Sequence, residues 1–248
     1  MLHGYGQVHH TDIDRARTAV GINIVTPVVR VDGNRIWVSS TGGDDSGWLD
    51  ARDALLLSDA IAYFTSKIER DPNDWDAYLR RGEANHALNQ RAAATLDYTK
   101  AIALRPGEAF LYLRRGRHLS TLKDCAGALH DFETAIKLVP TSSPEDYDLT
   151  AELYSLESGI YAGCPDHVYR DPQQAIATAQ RAVDLDPSRP TLLSILASAY
   201  ASAGDFANAV AAQKRALASA KFPPGYRNDG QHQLEEYQRA LSTKQSVQ

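Results

Sequence analysis

The residues Tyr78-x-x-Arg81-Gly82 recur as Tyr112-x-x-Arg115-Gly116, 34 positions further along the chain. The copy stays in register, because Ala94, Tyr98, Ala101 and Pro106 are matched by Ala128, Phe132, Ala135 and Pro140. A period of this length, with small residues at fixed places and a closing proline, specifies stacked helical hairpins. One hairpin cannot bury its own apolar face, so neighbours stack and leave a continuous groove. Such a groove usually binds another protein, whose identity the sequence does not give.

The 248 residues allow one long solenoid or two small domains. Hydrophobic content of 43% and charged content of 23% place the chain among ordinary folded proteins. A net charge of −5 argues against general nucleic-acid binding, since neutralising phosphates needs concentrated Lys and Arg. The expected partner is a protein or peptide. No apolar run approaches the roughly 20 residues that span a bilayer. The start, MLHGYGQVHHTDIDRARTAV, has no apolar signal core and carries Asp12 and Asp14. As written the chain reads as cytoplasmic; an upstream extension with an export signal would make it an envelope or exported protein.

Cys125 and Cys164 do not imply a disulfide framework, and both are expected to be free thiols, buried or half-buried. The histidines show no zinc-ligand spacing, so neither metal nor cofactor is expected. Phosphate loop, Gly-x-Ser-x-Gly elbow and metalloprotease helix are all missing from the sequence. Cys164 with His167 is the nearest approach to an activated nucleophile, and the expectation is a protein that is not an enzyme.

Composition divides the chain. Residues 1–18 resemble no folded element and read as an unstructured or truncated terminus. Residues 19–52 look like β structure: Ile22, Ile24, Val25, Val28, Val29 and Val31 lead to the turn signal Asp32-Gly33-Asn34, then Ile36-Trp37-Val38, a polar loop and Gly47-Trp48-Leu49. The solenoid is expected over 53–222. It opens with a capping helix over 53–71, in which Ala54, Leu57, Ala60, Ile61, Phe64 and Ile68 share a face. Hairpins follow at 75–106, 109–140, 148–187 and 190–220. The third has a long connector, Gly163 to Pro172, read as a rigid link or as a special feature. Residues 223–248 are expected to form a polar capping helix, from about Asn228 to Leu241, and a tail.

The hairpins resemble tetratricopeptide repeats (TPRs), with Trp, Leu, Gly and Tyr on the first helix and Ala, Phe, Ala and Pro on the second. The resemblance covers about residues 55–220 and implies a right-handed α-solenoid in a mostly α fold. Cys164-Pro165-Asp166-x-x-Tyr169-Arg170-Asp171 and Leu196-Ala197-Ser198-Ala199-Tyr200 resemble the C-terminal part of repeat proteins frequent in planctomycete-type bacteria. Glu157 and Ser158 depart from that pattern, which has leucine and alanine there. Val31 to Val38 with Gly47-Trp48-Leu49 resembles the second half of a bacterial SH3-like barrel. Trp37 and Trp48 are then either core residues of a small sheet or an aromatic ligand surface.

Two sets of residues stand out on the first helices. Arg81 and Arg115 lie on the packing stripe with Tyr78, Gly82 and Asn85. A buried guanidinium needs a partner, and Asp97 and Asp131, each 16 positions on, occupy the facing stripe of the second helix. The fourth hairpin has Leu196 and Ala212 there, so both charges go together. The second set points away from that stripe: Leu79, Arg80, Glu83 and His86, then Leu113, Arg114, Arg117, Ser120 and Thr121. The resemblance implies that first helices line the concave surface. These residues would then form a mixed groove of leucines for apolar contact and guanidiniums for carboxylates or phosphates. An alternative is a ligand module in the envelope or at the cell surface, with the SH3-like segment binding and the helices as spacer.

Overall fold

The computed structural model describes residues 5–8, 25–32, 35–38, 47–50, 54–140 and 142–246, with side chains from residue 59 onward. The chain divides into two compact units, Met1–Leu111 and Tyr112–Gln248. Among the described residues helix is the commonest element in both.

In the first unit five antiparallel strands form one sheet in the order β4-β3-β2-β1-β5. They are β1 (Tyr5–Val8), β2 (Val25–Asp32), β3 (Arg35–Val38), β4 (Gly47–Asp50) and β5 (Ala54–Leu56). Two sequence expectations change here. Residues 5–8, expected to be unstructured, form a strand held on both edges: Tyr5 pairs with Pro27, and Gly6 with Leu56. Four residues between polar stretches are too short a run to reveal that pairing. The capping helix begins at Leu57, because Ala54–Leu56 pairs with β1; a run of Ala and Leu suits strand or helix equally. The turn at 33–34, the loop 39–46 and residues 9–24 lie outside the described residues, as do the side chains of Trp37 and Trp48.

Helix α1 (Leu57–Arg70) buries Ala60, Phe64 and Ile68 against Ala77 and Ala84 of α2 (Trp75–Ala87). Asp74 caps α2 by accepting a hydrogen bond from the amide of Ala77 at 2.9 Å. α2 also packs on α3 (Arg91–Leu104), so both of its flanks are covered. α4 (Ala109–Thr121) contains the boundary between the units.

The second unit continues with α5 (Cys125–Leu138), α6 (Pro144–Gly163), α7 (Pro172–Leu185), α8 (Pro190–Ser202), α9 (Phe206–Ala218) and α10 (Arg227–Ser246). α6 starts four residues before the expected third hairpin. Ser143 and Asp146 form a reciprocal capping box around Pro144, fixing the start there. Asp171 and Asp205 cap α7 and α9 in the same way that Asp74 caps α2. α6, α7, α8 and α9 share a core of Ala151, Ala175, Ala179, Leu193, Leu196 and Ala216 with Phe222. α10 runs five residues beyond its expected end and seals the last hairpin, with Tyr237 packed on Ala197, Ala209 and Ala212.

The turns inside three hairpins place one residue in left-handed backbone: Asn89 (φ 59°), Lys123 (φ 65°) and Gly204 (φ 72°). The turn bonds repeat with them. Gln90 donates to the Asn85 carbonyl at 2.8 Å, Asp124 to that of Leu119 at 3.0 Å, and Asp205 to that of Tyr200 at 2.9 Å.

Candidate functional site

Small residues let the paired helices approach closely. A Cβ added at Gly116 would stand 2.6 Å from Phe132 Cε1 and 3.2 Å from Asp131 Cβ. That closeness brings each arginine to its aspartate. In the first unit Arg81 Nη2 donates to Asp97 Oδ1 at 2.7 Å and Nε to Oδ2 at 3.0 Å. Arg81 Nη1 also donates to Thr65 Oγ1 at 3.1 Å, while Asn85 Nδ2 donates to Asp97 Oδ2 at 2.9 Å. In the second unit Arg115 Nη2 reaches Asp131 Oδ1 at 2.7 Å and Nε reaches Oδ2 at 2.8 Å. Both forks are bidentate, the geometry in which guanidinium and carboxylate bind most strongly. The guanidiniums also lie over Tyr78 and Tyr112, at 5.6 and 6.0 Å from the ring centroids. The aspartate hydrogen bonds hold both arginines above their ordinary pKa, against the opposing effect of burial. These groups join one helix to the next and leave no open chemistry.

The third hairpin differs at the same point. Ser158 donates to the Ala175 carbonyl at 2.9 Å, as Thr178 does at 3.2 Å. Beside Ser158, Glu157 is 5% exposed. Burial, with the Glu133 carboxylate adding to it, pushes the Glu157 carboxyl up to about 7, against Arg181 and Lys137.

Among the expected groove residues, three are not surface. Leu79 is 1% and Leu113 3% exposed, and Glu83 is buried as well. For Leu79 the reason is that α1 and α3 cover both flanks of α2, so the apolar position beside the main stripe is enclosed too. Arg80 is turned along its own helix, with Nε 3.1 Å from Asp76 Oδ1 and Nη1 3.8 Å from Glu83 Oε2. His86 is exposed near the end of α2, and Arg114 is half-buried.

Arg117, Ser120 and Thr121 remain at least partly open on α4. Arg117, 44% exposed, reaches across to α6, where Nη2 lies 2.7 Å from Glu152 Oε1. Sequence reasoning did not select Glu152, because the third hairpin breaks the 34-residue register that identifies the others. From Glu152 the stripe continues along α6 as Ser155, Leu156 and Gly159, at helical spacings of three and four. α6 packs on α8, which carries the half-buried Ile195 and the exposed Ser198. In the second unit α4, α6 and α8 therefore carry charged and aliphatic side chains that are at least partly open to solvent.

The cysteines are not free. Cys125, the first residue of α5, and Cys164, which ends α6, form a disulfide across 39 residues of sequence, with Cα atoms 6.4 Å apart. Sequence spacing could not reveal this, since only the fold brings the connector of the third hairpin to the start of α5. The connector itself forms a single helical turn at His167–Tyr169 and closes with Asp171 N donating to the Tyr161 carbonyl at 3.0 Å.

Among the described residues, no group of three or more His, Cys, Asp or Glu is placed to hold a metal ion. No described helix is long and apolar enough to cross a membrane. Residues 76–108 match one family model of tetratricopeptide repeats and residues 170–225 match another. These two segments are tetratricopeptide repeats. Solved structures share the fold over two thirds to three quarters of this chain. MamA residues 41 to the end, from Desulfovibrio magneticus RS-1, superpose with a TM-score of 0.52 at 22% identity, covering 65% of this chain and 84% of that one. The thermophilic TPR protein TTC0263 of Thermus thermophilus gives 0.50 at 18%, covering 75% and 90%. The APC/C hetero-tetramer Cut9–Hcn1 gives 0.55 at 15%, covering 75% of this chain and 34% of that one. No curated protein matches the sequence.

Proposed function

We propose that this chain is a non-enzymatic scaffold that binds a peptide or protein segment along the first helices of its repeats. TPR proteins generally mediate protein–protein interactions, which supplies the general class. The carrying observation is the bridge from Arg117 on α4 to Glu152 on α6, both partly open to solvent. It spans two successive first helices and offers a guanidinium edge and a carboxylate edge to an extended chain. Leu156 and Ile195, both half-buried, add aliphatic contact. Mixed surfaces of this kind suit a polypeptide, whose backbone carries donors and acceptors at every residue. The right-handed solenoid and its concave groove belong to this reading.

The five-stranded sheet motivates a second reading, an SH3-like ligand module carried on helical spacers. One experiment separates the two. Partners captured by the immobilised full chain from its own cells are compared with those of Arg117→Glu, of the double swap Arg117→Glu/Glu152→Arg, and of Trp37→Ala/Trp48→Ala. The helical reading expects loss with both charge variants and retention with the tryptophan variant. Retention with both charge variants and loss with the tryptophan pair would reject it in favour of the sheet.

A further inference from the structure

We propose that the Cys125–Cys164 bond is a permanent structural staple acquired in an oxidising compartment, and that the protein works outside the reducing cytosol. Three observations converge on it. The two residues come from different hairpins, and their Cα separation of 6.4 Å lies within the span a disulfide bridges. Both are enclosed, Cys125 at 4% and Cys164 at 3% exposure. A regulatory disulfide must meet its reductant, so enclosure of this degree marks a structural bond. The bond also sits where the repeat pattern is broken. The third hairpin has the longest connector, and the staple ties its first residues to the start of α5.

Below the bond, the connector is anchored by the Asp171–Tyr161 hydrogen bond and by the cap that Asp166 gives Val168 at 3.0 Å. Without the sulfurs joined, the segment 164–170 would rely on these and its other local backbone bonds, such as Cys164 N to the Ile160 carbonyl at 2.9 Å. The bond closes a loop of 39 residues, long enough for a substantial loss of unfolded-state freedom. Its formation balances as thiol–disulfide exchange. The thiols of Cys125 and Cys164 form one S–S bond, and the S–S bond of an oxidant of the disulfide class breaks to give two thiols. Cytosolic thiol buffers keep the two cysteines of a newly made, unfolded chain reduced, whereas exported compartments let the bond form before the fold encloses it. Of the two locations the sequence leaves open, the bond favours the exported one, whichever surface binds the partner.

The test is alkylation of the full-length protein isolated from the cells that make it. The cells are quenched in acid, and the protein is unfolded without reductant, treated with a maleimide and weighed by mass spectrometry. The expected result is no added maleimide, and two additions only after reduction of the unfolded chain. Two additions without reductant would overturn the proposal. A second measurement covers the mechanical role. The Cys125→Ser/Cys164→Ser chain should fold and melt on the order of 10 °C lower, and folded wild-type protein should keep its bond in millimolar glutathione. An unchanged melting temperature, or rapid reduction of the folded protein, would also overturn it.

Discussion

Arg81 and Asp97 stand 16 residues apart in the chain and 2.7 Å apart in the fold. Arg115 and Asp131 repeat both numbers in the next hairpin. The fourth hairpin replaces the pair with Leu196 and Ala212, both buried. One packing site is thus filled in two ways, by an ion pair with a buried aspartate or by two apolar residues.

This equivalence predicts an asymmetry. Asp97→Ala leaves Asn85 without its acceptor and Arg81 with only Thr65, and should cost about 3 kcal/mol in urea unfolding, the low end for a buried pair because the guanidinium is partly exposed. The double change Arg81→Leu/Asp97→Ala copies the fourth hairpin and should recover most of that loss. A double variant no more stable than Asp97→Ala would refute the equivalence.

The glycines on the same stripe should not respond alike. At Gly116 a methyl group meets the ring of Phe132 at 2.6 Å, and that ring is fully buried. At Gly82 the corresponding contact, with Tyr98, is 3.1 Å. Gly116→Ala should therefore destabilise by about 1–3 kcal/mol. Gly82→Ala should lie near neutral, because alanine's helix preference offsets a small shift of the ring. Chemical denaturation of both variants decides it; equal losses would contradict the packing account.

Glu157 predicts a pH effect confined to stability. Its folded pKa, raised from 4.5 to about 7, means that the folded chain holds this proton more tightly than the unfolded chain. The contribution is fully present below about pH 4.5 and is lost as pH rises to about 7. Glu157→Gln removes the dependence. It should match wild type near pH 4.5 and melt at higher temperature at pH 8, with a gap of at most about 3 kcal/mol. A gap of the same size at both pH values would exclude Glu157 as its source.

Lys123 holds left-handed backbone, where Gly204 stands in the fourth hairpin. A side chain with a Cβ is strained there, so Lys123→Gly should raise stability by about 1 kcal/mol. A fall in the denaturation midpoint would show that the lysine side chain holds the turn.

The periodic part of this molecule is the part its sequence discloses. Tyr78, Arg81, Gly82 and Asp97 recur at 34 residues because each hairpin meets the same neighbours, so one pattern encodes helix, packing stripe and ion pair together. Thr65 carries no periodic signal, because it reaches Arg81 from α1, outside that register. The surface residues were harder. Leu79 and Leu113 look like groove residues by spacing, yet spacing says only where a residue points on its own helix and not how many neighbours enclose it. Glu152 and the disulfide depend on the third hairpin, whose early start and long connector break the period. β1 was missed because a strand of four residues takes its stability from the strands on either side.

The scaffold reading is tested most directly by where a partner touches the full chain. A photoreactive amino acid is placed singly at Ser155 or Ser198 on first helices, and at Lys137 or Ala211 on second helices. After irradiation in the cells that make the protein, covalent adducts of one partner are expected from Ser155 and Ser198 and not from Lys137 or Ala211. Adducts from the second-helix positions with none from the first would contradict the account.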